Sequence, residues 1–395
     1  MQDGLDRRRR RLAHLTTSDI SLALLLSTEL SEAVANGYDV WGLSSPGRYV
    51  EQVESLGVRH VAVPQLTRSW NIRQDLRAFL ALYRTIRDLD LDVLHTHNPK
   101  TGVMGRIAGR LAGVPVVVNT CHGLWATPED PWIKRALVYG AEGLAAQFSD
   151  YELFQNAQDE RTLRRFMRAG RHRVVGNGID LHRFRFDPTG RARLRAEWGV
   201  REDEILIGTV GRRVREKGLE QFSEVAGALS HRARFVWVGP EDETSVGPAS
   251  TDSAPSVQFI PEQTDMPAVY SAVDIFVLAS YREGFSRASM EAAACGRALV
   301  LTDIRGCREI GQDETHLLLV APREAGPLRR ALTRLIDDPV LRGTLGRAAA
   351  THAHGEFDQR SVARVSRETY GIVRGRARRR TRARRDDPVT PMERR

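Results

Sequence analysis

The chain has 395 residues, 41% of them hydrophobic and 7% aromatic, enough for two domains of ordinary size that each bury a core. No apolar run approaches the ~18 residues of a membrane span, and no signal-peptide h-region follows the charged N-terminus, so a cytoplasmic location is expected. The net charge of +9 sits in the tails: residues 1–11 carry +3 and residues 374–395 carry +7, which leaves −1 for residues 12–373. A nearly neutral body argues against nucleic acid as a partner. The basic tails, read as disordered, have no aromatic interleaving and suit solvent or an anionic lipid surface. Three widely spaced cysteines, Cys121, Cys295 and Cys307, with no CxxC, argue for a reducing compartment and against a zinc site or a disulfide framework.

In chain order, short β-branched runs alternate with helical patterns. The first half offers strands at 12–16, 38–43, 58–63, 92–95, 114–120 and 151–155, with helices such as 72–89 and 102–112 between them. The second half restarts at 205–210 and continues at 234–238, 257–260, 275–278, 298–302 and 317–320. Such alternation implies parallel sheets covered on both faces, here two Rossmann-like domains of six strands each. The join is expected near NGIDLHRFRFDPTG (177–190), and a loop rich in Ser, Thr, Pro and Gly spans 241–256.

Ligands of open α/β sheets bind beyond the carboxyl ends of the strands, so the loops there carry the chemistry. The first, TTSDIS (16–21), lacks GxGxxG, which counts against a dinucleotide dehydrogenase. HTHNPK (95–100) opens a helix with His95, His97, Asn98 and Lys100, a setting that attracts an anion. His95 and His97 alternate along a strand and are not expected to chelate one metal together. DLDLD (88–92) contains a DxD metal pattern but precedes a strand instead of following one, and is read as a decoy. CHGL places His122 at a strand end. GRRVREKG (211–218) sets Arg212 and Lys217 before a helix; lysine is scarce, at three against 56 arginines, and two of the three lie in such loops. A planar fork and a compact cation together suit a diphosphate. In REGFSRASMEAAACG (282–296), Ser286 or Ser289 can cap a helix whose first amides form an anion site, with Glu283 before the turn and Glu291 about a turn inside. Arg73, Arg77, Arg84 and Arg87 share one stripe of a helix, spread over roughly 80°, which suits solvent or an anionic membrane surface.

These pieces together resemble the retaining family-4 glycosyltransferases of GT-B architecture, over about residues 12–372. EGFSRASMEAAACG (283–296) resembles that family's E-x7-E motif and VGRRVREKG (210–218) its GR-x4-KG phosphate loop. NGIDLHRF (177–184) and TDIRGCREI (302–310) resemble flanking segments. TTSDIS, HTHNPK and NTCHGL resemble a subgroup that builds bacterial surface polysaccharides and lipid-linked oligosaccharides. The resemblance implies an α/β fold of two Rossmann-like domains facing each other across a cleft. Residues 12–186 would form the acceptor domain and 187–355 the donor domain. A C-terminal helix (356–373) would cross back to the first domain, with disordered tails at 1–11 and 374–395.

It implies a nucleotide-sugar donor, UDP-linked by default, and a glycan or polyprenyl-diphosphate-linked acceptor. It further implies retention of anomeric configuration and no metal or other cofactor. Arg212, Lys217 and the Gly284, Phe285, Ser286 and Arg287 segment would bind the diphosphate, and Glu291 the ribose. Glu283, as nucleophile or electrostatic support, and His122 would flank the transferred sugar. Thr16, Thr17, Ser18, Asp19, His97, Asn98 and Lys100 would line the acceptor side. The location implied is cytoplasmic or peripheral on the cytoplasmic membrane face. A nucleotide-sugar epimerase of similar shape and a non-catalytic assembly scaffold are the alternatives. The first would need no acceptor, and the second would tolerate loss of Glu283, Arg212, Lys217 or Glu291.

Overall fold

A computed structural model describes residues 8–67, 71–97, 99–241 and 255–386. The chain divides into two compact units, residues 1–175 with 360–395, and residues 176–359. The division falls at 175/176 instead of 186/187, because the segment after 176 already packs on the second unit: Ile179 and Phe184 lie in its core.

Unit 1 is a seven-stranded parallel sheet. Its strands are β1 (Arg11–Ser18), β2 (Asp39–Ser45), β3 (Arg59–Ala62), β4 (Val93–His97), β5 (Val116–Cys121), β6 (Tyr151–Phe154) and β7 (His172–Val174). Their spatial order is β3-β2-β1-β4-β5-β6-β7. Helices α1 (Ser27–Ala35), α2 (Val50–Glu54), α3 (Ile72–Leu89), α4 (Pro99–Leu111), α5 (Trp132–Ala145) and α6 (Ala157–Leu163) make the connections. The seventh strand, β7, was not expected. It is three residues of HRV with two exposed side chains, so no apolar run marks it.

Unit 2 is a six-stranded parallel sheet, with α7 (Pro188–Glu197) leading into it. The strands are β8 (Leu206–Val210), β9 (Arg234–Val238), β10 (Val257–Ile260), β11 (Ile275–Leu278), β12 (Ala298–Thr302) and β13 (Leu318–Val320), ordered β10-β9-β8-β11-β12-β13. Its other helices are α8 (Leu219–Leu229), α9 (Met266–Ala272), α10 (Arg287–Ala294), α11 (Arg305–Arg308), α12 (Ala325–Asp337) and α13 (Pro339–Glu356). The central strands β11 (IFVL) and β12 (ALVLT) are buried along their whole length, as strands covered on both faces must be.

The last helix, α14 (Gln359–Asp386), belongs to unit 1 from Arg360 on, and Tyr370 and Val373 join that unit's core. Its backbone remains helical through Asp386, where a structureless tail was expected from 374. Arginine and alanine are good helix formers, and the packed turn at Tyr370–Val373 supplies a nucleus from which the helix propagates. At the other end, Arg8 pairs with Asp90 and β1 begins at Arg11, so the expected N-terminal tail is shorter than 1–11. Residues 1–7 and 387–395 lie outside the described residues.

In both sheets the strand order reverses once, between β1 and β4 and between β8 and β11. At each reversal two loops diverge beyond the carboxyl ends and leave a crevice, the usual ligand position of such sheets.

Candidate active site

The crevice of unit 2 is bounded by the loop after β8 and the loop after β11. The first depends on two glycines. Gly211 has φ 153°, and its carbonyl oxygen accepts a hydrogen bond of 2.8 Å from the Trp237 indole. Gly218 has φ 78°, and a Cβ there would stand 2.2 Å from the Ala279 carbonyl oxygen. That close approach brings the turn 215–217 against the neighbouring strand end, where the Tyr281 amide donates to the Glu216 carbonyl at 2.9 Å. Lys217 is thereby carried to the second loop, and its Nζ lies 2.6 Å from Glu283 Oε1. Both side chains are largely but not fully covered, at 26% and 14% exposure. Arg212 is exposed on the rim.

The second loop turns at Ser286. Its side chain accepts from the Ser289 amide at 3.3 Å and so caps α10; its Oγ also lies 2.8 Å from Ser289 Oγ. Gly306 permits the turn, since a Cβ there would meet Glu283 at 2.7 Å, and Arg305 Nε donates to the Glu283 carbonyl at 3.2 Å. Glu291, within α10, is 7% exposed and fixed at both oxygens: Tyr270 O–H donates to Oε2 at 2.7 Å and Arg287 Nε to Oε1 at 2.9 Å. Burial, reinforced by the Glu291 charge, pushes the Tyr270 phenol well above its ordinary range, so it remains a donor. Glu283, Lys217, Gly284, Phe285, Ser286, Arg287 and Glu291 therefore lie along two adjacent loops and one helix start. Tyr270 and Arg305 were missed by sequence reasoning: Tyr270 stands within α9 and not in a strand-end loop, and Arg305, though within TDIRGCREI, was given no role of its own.

The crevice of unit 1 lies at β1 and β4. The strand β4 runs through His97, so His95 and His97, two residues apart, project from the same face. The expectation that their alternation keeps them apart is corrected: their ring centroids are 4.2 Å apart. His14 on β1, in register with His95, joins them. A chain of rings follows, with His14 Nδ1 3.0 Å from His97 Nε2 and His97 Nδ1 3.0 Å from His122 Nε2. Burial lowers His14 to about 3 and His122 to about 4, and holds His97 well below its ordinary value, so these imidazoles are neutral near pH 7.

The remaining acceptor-side residues differ in availability. Asp19 accepts the Ile20 amide at 2.9 Å and the Tyr49 amide at 2.7 Å, and thus braces the 47–49 turn. Thr16 donates to the Ser18 carbonyl at 2.9 Å, and Thr17 Oγ1 lies 3.4 Å from Thr101 Oγ1. Lys100 forms a 2.5 Å ion pair with Asp75 at 10% exposure, a reason for its position other than an anion. Asn98 lies outside the described residues. The DxD at 88–92 is occupied structurally, as Asp90 pairs with Arg8 and Asp92 accepts the Arg11 amide at 2.9 Å.

Comparison with known proteins matches residues 27–178 to the model described as "Glycosyl transferase 4-like domain" and residues 204–338 to "Glycosyl transferases group 1". A D-inositol 3-phosphate glycosyltransferase of Salinispora arenicola is 30% identical, covering 71% of this chain and 68% of that protein. The UDP-Gal:alpha-D-GlcNAc-diphosphoundecaprenol alpha-1,3-galactosyltransferase of Escherichia coli is 28% identical over 72% of this chain and 76% of its own. The N,N'-diacetylbacillosaminyl-diphospho-undecaprenol alpha-1,3-N-acetylgalactosaminyltransferase of Campylobacter jejuni is 25% identical over 85% and 91%. Among solved structures, Anabaena HepE in complex with UDP and glucose superposes with TM-score 0.77 at 19% identity, covering 92% of this chain and all of that one.

Proposed function

The chain belongs to the group 1, family-4-like glycosyltransferases and has their GT-B fold, and on that premise we propose that it moves a hexose-type sugar from a nucleoside-diphosphate donor to a polyprenyl-diphosphate-linked acceptor in cell-surface polysaccharide synthesis. The observation that carries the donor reading is the Lys217–Glu283 pair beside the Ser286-capped start of α10, at the β8/β11 reversal. A departing nucleoside diphosphate gains negative charge. Lys217, Arg212 and the first amides of α10 are the groups here that can meet it. The Lys217 ammonium, 2.6 Å from Glu283 Oε1, also holds that carboxylate in place next to the diphosphate position. Glu291, buried and aimed by Tyr270, offers carboxylate oxygens to paired ribose hydroxyls. Uridine is the base we assign, and the donor sugar keeps its anomeric configuration. No metal bridges the diphosphate. His122, a neutral imidazole, can exchange hydrogen bonds with sugar hydroxyls without adding charge.

The acceptor assignment draws on the two undecaprenol-diphosphate-dependent relatives and on the surface of unit 1. Helix α3 exposes Ile72 (89%), Leu76 and Leu80 beside Arg73, Arg77, Arg84 and Arg87, and α5 exposes Trp132 (73%), Ile133 and Leu137. Apolar side chains rimmed by arginine suit the boundary of an anionic bilayer, where a lipid-linked acceptor resides. No helix of the described residues is long and apolar enough to cross a membrane. Peripheral attachment is thus the arrangement we assign.

A screen of nucleotide sugars with a lipid-linked acceptor, read by mass spectrometry and by NMR of the new linkage, tests the reaction. The expected product is a single glycoside of retained configuration, whose yield does not rise with added Mg2+ or Mn2+. Glu291→Ala is expected to weaken donor binding at least tenfold; an unchanged dissociation constant contradicts the ribose role.

A further inference from the structure

The donor chemistry leaves a buried cluster in unit 1 unused. His14 on β1, Glu29 on α1, and His95 and His97 on β4 each offer one ligand atom, and these atoms all lie within 4.8 Å of one another. We propose that these four residues form a site for one divalent transition-metal ion of the zinc class, separate from the donor crevice. This departs from the expectation of a chain that takes no metal.

Spacing comes first. One ligand atom from each of the four residues falls within 4.8 Å of the others, and Glu29 Oε1 and His95 Nδ1 are 3.4 Å apart. Ligands about 2.0–2.1 Å from a tetrahedral zinc stand about 3.3 Å from one another, so small side-chain adjustments suffice. Unsatisfied donors and acceptors come second. His14 is fully buried, yet its Nε2 has no hydrogen-bond partner among the described residues, and neither has the buried Glu29 Oε1. Glu29 and His95 stand at ion-pair distance without an aligned hydrogen bond. Leaving such groups unmet is costly, and a cation answers both.

Space comes third. Against His14, Glu29 and Tyr370 lies a small cavity of about 10 Å3, room for a single small occupant. The outer contacts are also those of ligating histidines. His95 Nε2 lies 2.7 Å from Thr120 Oγ1 and His97 Nδ1 3.0 Å from His122 Nε2, so each ring turns its other nitrogen toward the cluster, where an ion would displace the contact of His95 Nδ1 with the Tyr370 hydroxyl at 2.6 Å and that of His97 Nε2 with His14 Nδ1 at 3.0 Å. Imidazole and carboxylate donors without a thiolate select zinc, cobalt, nickel or copper over magnesium or calcium. With the ion on His97 Nε2, the Nδ1 proton is fixed toward His122 Nε2. The site therefore acts on His122 as a positioning device.

The test uses the untagged full-length chain, stripped with a chelator and titrated with Co2+. Uptake of one equivalent, with the visible absorption of a four-coordinate site, is expected. Glu29→Gln and His14→Ala should each weaken uptake at least tenfold, with circular dichroism confirming the fold. His352→Ala, which removes one ring of the stacked His316–His352 pair in unit 2, should leave uptake unchanged. No stoichiometric uptake by the folded wild-type chain would overturn the proposal, leaving protons or water to hold the cluster. Uptake retained in both cluster variants would overturn it equally, by placing the ion elsewhere. Neither result bears on the donor reading, which concerns the other unit.

Discussion

Gly218 shows how one residue positions the chemistry. Its φ of 78° and the 2.2 Å approach to the Ala279 carbonyl allow no side chain, and Lys217 precedes it directly. Gly218→Ala is expected to cost about 2–4 kcal/mol, through strain and through displacement of the turn. A denaturation curve matching the wild type would show that the turn tolerates a Cβ. Glu283 and Glu291 are similarly specific. Their spacing along the chain is legible in the sequence, as are the cationic loop and the cap, because all follow apolar runs that read as parallel strands. What the spacing does not reveal is who holds each carboxylate. Lys217 meets Glu283 across a strand pair, and Tyr270 reaches Glu291 from α9. Such contacts depend on sheet order, which no local pattern encodes.

At the scale of elements, the strand runs and α3 were legible for a physical reason. Strands buried on both faces are continuously apolar, and α3 carries a cap at Asn71 and buries Ala78, Leu82 and Ile86 at helical spacing. The exposed β7 gave no such signal. Nor did the histidine cluster, which exists because β1 and β4 pair in the register that sets His14 beside His95 and because α1 supplies Glu29. The same pairing logic hides a buried ionic network. Arg106 of α4, fully buried, pairs with Glu152 of β6 at 2.9 Å and with Glu142 of α5, while Asn119 of β5 donates to Glu152 at 2.8 Å. Arg106→Ala leaves two carboxylates buried without their cation, and is expected to destabilise the protein by about 3–5 kcal/mol in urea denaturation. Replacing Arg106, Glu142 and Glu152 together by apolar residues should cost much less. Equal losses would show that packing, and not charge, is what Arg106 supplies.

For the whole molecule, charge distribution links fold to location. The body is nearly neutral, whereas residues 374–395 carry +7 and begin on the helical continuation of α14. Deleting residues 374–395 is expected to leave sugar transfer to a soluble acceptor analogue intact and to reduce co-sedimentation with anionic vesicles at low salt. Full binding after deletion would assign attachment to α3 and α5 alone. Substituting Ile72, Leu76 and Trp132 with Ser should then abolish it.

The claim on which the rest depends is that the β8/β11 reversal holds the donor diphosphate, with Lys217 as its partly covered cation. Calorimetric titration of a UDP-sugar into wild type and Lys217→Ala measures this directly. Donor binding at least tenfold weaker in the variant, with the fold intact by circular dichroism, is the predicted result. A dissociation constant equal to that of the wild type would contradict it.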